Sequence, residues 1–338
     1  MSHASQPCVL ITGAGGAAAV TLITSLAPSY RVIAGDIDPL AAGLYLVPAA
    51  QRVLLPLGDD PAFADVLLEV ARRCHADLVI PTVDVELPVV AAKVGDFERA
   101  GVAVLVESSQ TLERCQDKLT LVGLCQGSVR VPRTVLLERT TSVDELERLG
   151  LPFIVKPRLG AGGRGFAVIS SSEDLHGVPR DGTMLAQEHL PGEEFSIDVL
   201  ARPDGHVVAA VPRRRDKVDS GIAVAGRTVR DPELEDFGRS VARLIGATGV
   251  VNVQARRAVD GTPALLEVNA RFPGTMALTQ AAGVDMPVLA ARAALGHPLP
   301  DHLDFEEVAV VRHLADVTVP LAEYTTVRDG RTHPGLDA

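Results

Sequence analysis

Residues 250–274 read V-V-N-V-Q-A-R-R-A-V-D-G-T-P-A-L-L-E-V-N-A-R-F-P-G. Two runs of alternating polar and apolar residues flank Asp260-Gly261, a dipeptide that tolerates the positive φ of a tight turn, so the stretch predicts a β-hairpin. With those two residues as the loop, Val259 faces Thr262, Gln254 faces Glu267 and Asn252 faces Asn269. The four polar side chains then share one face with Arg271 beside them, while Val251, Val253, Leu266 and Val268 share the other. Directly opposed Cβ atoms in an antiparallel pair lie about 4.5–5.5 Å apart, which would gather the amides and the carboxylate into one cluster. A polar strand face is ordinarily a solvated one. Glu and Asn are depleted in strands, however, and here they alternate as Glu-x-Asn. Oxygen-only donors suit Mg²⁺, which is commonly held by one or two carboxylates together with substrate phosphates. The hairpin therefore points to a Mg-nucleotide site.

A chain of 338 residues, 47% hydrophobic and 22% charged, has the material for two globular domains or for one with a mobile insert. A net charge of -11, 3% aromatics and no Trp argue against nucleic acid, because neither a phosphate-neutralising surface nor a stacking platform is evident. Cys8, Cys74, Cys115 and Cys125 form no C-x-x-C motif and follow no signal peptide, which suggests reduced thiols and a cytoplasmic protein. The longest apolar runs are too short for a membrane span. Of 32 Lys plus Arg, only Lys93, Lys118, Lys156 and Lys217 are lysines. Where this chain uses Lys, a compact point charge is the expected reason.

The first 110 residues alternate strand and helix: Cys8–Thr12, Ala17–Leu26, Arg31–Ala34 running to Asp36, Pro61–Cys74, Asp77–Pro81, Leu87–Ala100 and Ala103–Val106. Such repetition predicts a parallel, doubly wound sheet with ligands at the carboxyl ends of its strands. Gly13-x-Gly15-x-x-Ala18, with Asp36 ending the next strand, also fits a dinucleotide fingerprint, so an NAD-binding oxidoreductase stands as an alternative. Asp84 and Glu86 lie where such sheets bind ligands and could hold a substrate ammonium; equally, they form an acidic start to the next helix.

From Thr111 the pattern changes. Thr111–Gln126 reads as one helix with Asp117-Lys118 in its middle, Thr134–Leu137 as a strand, and Thr141–Leu149 as a helix capped by Ser142 and Glu145. Pro152–Lys156 is a strand that runs into Leu159-Gly-Ala-Gly-Gly-Arg-Gly165, and Phe166–Ser170 resumes it. The amides of such a loop can fold onto a phosphate tail above Lys156. Glu188 and Glu194 bracket a sharp turn at Pro191-Gly192 and could meet adenine and ribose groups; solvated acids beside a turn are the simpler account. Arg213-Arg214-Arg215 with Arg227 reads either as a solvated edge or as a group that holds a substrate carboxylate.

In order and spacing, Lys118, Lys156 with the glycine loop, Q-E-H-L-P-G-E-E-F-S, N-V-Q and L-E-V-N-A-R-F-P-G resemble the ATP-grasp superfamily. The similarity spans roughly residues 8–315 and is greatest to one synthetase half of the carbamoyl phosphate synthetase large subunit and to stand-alone carboxylate–amine ligases. It implies an α/β plus α+β protein: a Rossmann-like pre-ATP-grasp domain at 1–110, an ATP-grasp domain of two α+β subdomains at 111–315 with a mobile lid near 128–187, and an extension at 316–338. The cofactors implied are ATP and Mg²⁺. Lys118 and Lys156 would contact the α- and β-phosphates. Gly160, Gly162, Gly163 and Gly165 would close over the tail, while Glu188 and the Leu190 backbone meet adenine and Glu194 the ribose. Glu267 and Asn269 would hold Mg²⁺, with Gln254 where most relatives carry a carboxylate. Gly15 would border the second substrate, and Arg271 would steady an acyl phosphate.

A carboxylate does not react with an amine at neutral pH, whereas its acyl phosphate does, and phosphoryl transfer mainly needs alignment and charge neutralisation. The expected reaction joins a small carboxylate to an amine, amino acids being the natural candidates, with release of ADP and phosphate. Asp84, Glu86, Arg215, Arg227 and Arg271 are the expected substrate contacts. No nucleic acid or membrane partner is expected, and a homodimer is compatible with the reading. Two further alternatives remain: an enzyme that releases or passes on the acyl phosphate, and a nucleotide-binding protein without turnover.

Overall fold

The computed structural model describes residues 6–160, 165–219 and 222–329. Its first sheet is built from β1 (Cys8–Ile11), α1 (Ala17–Leu26), β2 (Arg31–Asp36), β3 (Arg52–Leu54), α2 (Phe63–Arg73), β4 (Leu78–Ile80), α3 (Glu86–Ala91), α4 (Val94–Arg99) and β5 (Ala103–Val104). The strands are parallel in the order β3-β2-β1-β4-β5. Strands covered by helices on both faces have no solvated side, and β1, β4 and most of β2 are accordingly buried throughout. The helix expected over 87–100 is two helices, interrupted at Ala92-Lys93.

Next come α5 (Ser109–Gln116) and α6 (Lys118–Cys125), where one helix was expected. Asp117 is extended and caps α6 by accepting from Leu119 and Thr120, a competing hydrogen bond that stops the first helix and restarts the second. A four-stranded antiparallel sheet follows: β6 (Thr134–Glu138), α7 (Val143–Glu147) with the expected capping box, β7 (Phe153–Pro157), β8 (Ala167–Ile169) and β9 (Asp181–Glu188), in the order β6-β9-β7-β8. This sheet has its own small core of Leu137, Leu146, Phe153, Val155 and Ile169.

The third sheet contains β10 (Glu194–Ala201), β11 (Val207–Asp219), β12 (Ile222–Thr228), α8 (Pro232–Ile245), β13 (Val250–Arg257) and β14 (Pro263–Asn269), followed by α9 (Met276–Ala281), α10 (Met286–Ala294), β15 (Ala309–Val311) and α11 (Leu321–Arg328). Its order is β14-β13-β10-β11-β12-β15. α8 packs its apolar face on this sheet, capped by Asp231 and ended by Gly246 at φ 76°. One apolar cluster runs from Val9, Leu22 and Leu26 through Val208 and Val211 to Phe272, Met286 and Ala290, so the parallel sheet and the six-stranded sheet share a continuous core. α11 docks on the first sheet through Glu323 against Arg52 (2.5 Å) and Tyr324 stacked on Tyr45.

Candidate functional site

The expected register is present: Asn252 pairs with Asn269, Val253 with Val268, and Gln254 with Glu267. The turn differs. Ala258 and Thr262 close a three-residue loop, Val259-Asp260-Gly261, with Gly261 at φ 83°. That alone would slip the pairing by one, but the register shifts again beyond Gln254, where Leu266 is the extra residue of a β-bulge. The two irregularities offset each other. Leu265, not Leu266, therefore joins the core with Val268, and Leu266 turns toward the cleft and presents its carbonyl there.

β10 extends the pattern across a third strand. Ser196, Gln254 and Glu267 form one row, and Asp198, Asn252 and Asn269 form the next. In the second row the Asn252 amide donates to Asp198 Oδ1 at 2.8 Å, while Asn252 Oδ1 accepts from Asn269 at 3.4 Å. Asp198 is fully buried and pairs with buried Arg213 (2.5 Å); Thr279 also donates to it, and Arg213 donates to Thr275. Arg213 is thus a core residue and not part of a solvated edge. A buried pair is tolerable only when its remaining donors and acceptors are matched, as most are here. The network fixes the amide of Asn269 relative to β10, β11 and α9. Asp198 and Ser196 are not among the residues singled out from the sequence. Their period-2 placement in F-S-I-D, on a strand next to Asn252, was the available signal.

A cavity of about 620 Å³ lies between the four-stranded and six-stranded sheets, lined by Lys118, Lys156, Gly160, Glu188, Leu190, Glu194, Arg215, Gln254, Leu266 and Glu267. Lys118 donates to Gly160 O at 2.6 Å and Lys156 to Leu266 O at 3.3 Å. Burial pushes Lys156 down to about 8, with Glu267 opposing that shift and Lys118 adding to it; burial also lowers Lys118. Two desolvated ammonium groups and one carboxylate share this end of the cavity, an arrangement that favours a polyanionic guest. Gly160, at φ 112°, begins the glycine loop, and Gly165 ends it; Gly162 and Gly163 lie outside the described residues. Glu188 faces the cavity but is engaged by Arg130 (3.4 Å) and Arg133 (3.3 Å), and Glu194 is paired with Arg215 (2.5 Å).

A second cavity, about 770 Å³, continues from Gln254, Glu267 and Asn269 to the carboxyl ends of β1, β2 and β4. Here several expected substrate contacts are already committed within the protein. Asp84 forms a bidentate pair with Arg271. Glu86 is buried against Thr12 and the Val83 amide, and burial pushes it up to about 7. The Gly15 amide donates to Asp36 Oδ2 at 2.7 Å, so the turn's anion-binding N–H is occupied by the chain's own carboxylate. Arg227 is a correction: it pairs opposite Arg214, half-exposed on the face away from Arg215, and lines neither cavity.

Comparison with known proteins agrees with this geometry. Residues 180–317 match the family described as ATP-grasp in the biosynthetic pathway with Ter operon, and residues 9–105 match the PylC-like N-terminal domain. By that match, residues 180–317 form an ATP-grasp segment. It is 26% identical over 266 residues to the carbamoyl phosphate synthase large chain of Rubrobacter xylanophilus, a match covering 71% of this chain and 25% of the relative's length. The N5-carboxyaminoimidazole synthetase of Staphylococcus aureus, solved with ADP, superposes with a TM-score of 0.72 at 17% identity over 90% of this chain and 81% of the other. The biotin carboxylase domain of Hydrogenobacter thermophilus 2-oxoglutarate carboxylase, solved with ADP and magnesium, superposes at 0.68 and 16% identity over 86% and 70%. At these identities the superpositions speak for the fold.

The cofactors of an ATP-grasp protein are ATP and Mg²⁺. The donor set fits the metal. Among the described residues, Gln254 and Glu267 have no side-chain hydrogen-bond partner, Asn269 is oriented by Asn252, and all three line the cavities. Among the same residues no group of three His, Cys, Asp or Glu could hold a metal ion. No helix is long and apolar enough to cross a membrane.

Proposed function

We infer that the protein is an ADP-forming carboxylate–amine ligase that makes an amide or peptide bond between small molecules, amino acids foremost, through an acyl phosphate. The observation that carries this is the continuity of the two cavities through one oxygen-donor row. Lys118 and Lys156 stand at one side of Glu267, and Arg271 stands beyond Asn269 on the other.

In this reading ATP lies between the antiparallel sheets, its tail against Lys118, Lys156 and the glycine loop and its base near Leu190. Glu267 and Asn269, with Gln254 beside them, would hold a Mg²⁺, which would supply charge neutralisation to the phosphates. The sheet β6-β9-β7-β8 is the lid, within the domain plan of 1–110, 111–315 and 316–338. A substrate carboxylate oxygen attacks the γ-phosphorus, the bond to the β–γ bridging oxygen breaks, and ADP departs. Arg271 then donates to the acyl phosphate and to the oxyanion that forms when the amine attacks. The proton lost by the amine and the displaced phosphate leave with the solvent. In this reading the enzyme is cytoplasmic, takes small-molecule substrates and binds no nucleic acid.

The test is a matrix of amino acids assayed in pairs for phosphate release with ATP and Mg²⁺, with mass spectrometry of the product. A condensed product formed with stoichiometric ADP supports the reading. ADP formation that no amine increases would replace it with release of the acyl phosphate.

A further inference from the structure

Arg271 and Asp84 come from different sheets: Asp84 follows β4 and Arg271 follows β14. They meet as Nε to Oδ1 and Nη2 to Oδ2, each 2.7 Å. Both line the larger cavity beside Asn269, and their side chains keep 20% and 36% exposure, so a solute in that cavity reaches them. The pair Arg213–Asp198, at 1% and 0%, is sealed by comparison.

The exposed pair constrains what can bind. A simple carboxylate that takes the place of Asp84 on Arg271 breaks both hydrogen bonds and leaves Asp84 without a cation next to a second anion. Among the described residues, Arg271 is the only ion-pair partner of Asp84. A simple amine would strand Arg271 in the same way. A zwitterion strands neither group: its carboxylate takes the guanidinium, its ammonium takes Asp84, and the local charge is conserved. Because the two recognising groups are in direct contact, the ligand's charges can be separated by little more than one carbon. Ser196 gives a second sign of a polar guest. The residue is 4% exposed, lines the same cavity and has no side-chain hydrogen-bond partner among the described residues.

We propose that the acid activated here is an α-amino acid zwitterion, which enters by exchanging with the Arg271–Asp84 pair. The proposal rests on the carboxylate-activating reading above. It also assigns direction to the reaction. The α-ammonium stays protonated on Asp84 while the carboxylate is phosphorylated, so it cannot act as the nucleophile, and the amine comes from the other substrate.

Hydroxylamine trapping tests this without knowledge of the amine partner. The nitrogen of hydroxylamine attacks the acyl carbon, phosphate leaves, and the hydroxamate is read by its ferric complex. The full-length protein with ATP and Mg²⁺ is given the proteinogenic amino acids in both enantiomers, each beside its des-amino counterpart: alanine with propionate, glutamate with glutarate, lysine with 6-aminohexanoate. The expected result is hydroxamate from at least one amino acid and about tenfold less, or lower still, from its counterpart, since a charge-assisted contact is lost. In Asp84→Asn the two should move in opposite directions. KM for the amino acid rises by about tenfold or more, while the des-amino acid improves because Arg271 is released. A purely structural role for Asp84 would weaken both alike, and that result, or equal hydroxamate from both acids in the wild type, overturns the proposal. Hydroxamate from no acid, with ATP-Mg²⁺ still bound, overturns the ligase reading and this proposal together.

Discussion

Lys156→Met should make the protein more stable and unable to use ATP. The ammonium of Lys156 sits in the cleft at about 8 against an ordinary 10.5. That displacement corresponds to about 3 kcal/mol of unfavourable charge burial. The methionine avoids it and loses one hydrogen bond to Leu266 O, worth about 1 kcal/mol. The net expectation is a gain of about 2 kcal/mol at pH 7, or roughly 4 °C in Tm at the sensitivity of large domains. The pH dependence has a definite sign. Below about 8 the lysine is charged in both states and the folded protein bears the full cost. Between about 8 and 10.5 the unfolded chain binds more protons than the folded one, so wild-type stability rises with pH relative to the variant. The advantage of Lys156→Met should therefore fade across that window. Thermal melts at a series of pH values, with and without ATP-Mg²⁺, measure it. A variant that melts at or below wild type at pH 7, or whose offset stays constant to pH 10.5, would refute the account of Lys156 as a cation desolvated for a ligand.

Glu267→Gln should abolish turnover while the fold survives, because the carboxylate supports no hydrogen bond among the described residues; circular dichroism and phosphate release check the two halves of this statement. Arg271→Ala should still bind ATP yet uncouple it, with ADP formed in excess of amide, and a normal amide yield would remove the residue from the chemistry. Arg213→Met should cost about 3–5 kcal/mol in urea unfolding, since it strands the fully buried Asp198 carboxylate.

Residue type and strand period made Glu267, Asn269, Gln254 and the scarce lysines legible in the sequence, because each depends on local alternation or on composition. The βα repeats of the first sheet were legible for the same reason. The bulge at Leu266 was not. It is a second register slip that offsets a three-residue turn, and a two-residue turn without a bulge yields the same Gln254–Glu267 pairing. The break at Asp117 escaped because side-chain capping competes with a helix that periodicity alone continues. Arg213 escaped because its partner lies fifteen residues away on another strand, and an arginine run carries no mark of which member turns inward. Asp84 and Arg271 were both singled out, but their mutual contact spans two sheets and needed the fold to appear.

The apolar cluster that joins the first sheet to α9, α10 and the six-stranded sheet has a mechanical result. Gly13, Asp84, Asn269 and Arg271 sit on elements joined by this cluster, so in the proposed reaction the geometry that selects the acid would be set before any nucleotide arrives. The four-stranded sheet, with a separate core, is the element whose docking can respond to phosphate. In the proposed reaction, selection of the acid and commitment of ATP would thus reside in parts of the chain with separate cores, so that substitution could alter either without retuning the other.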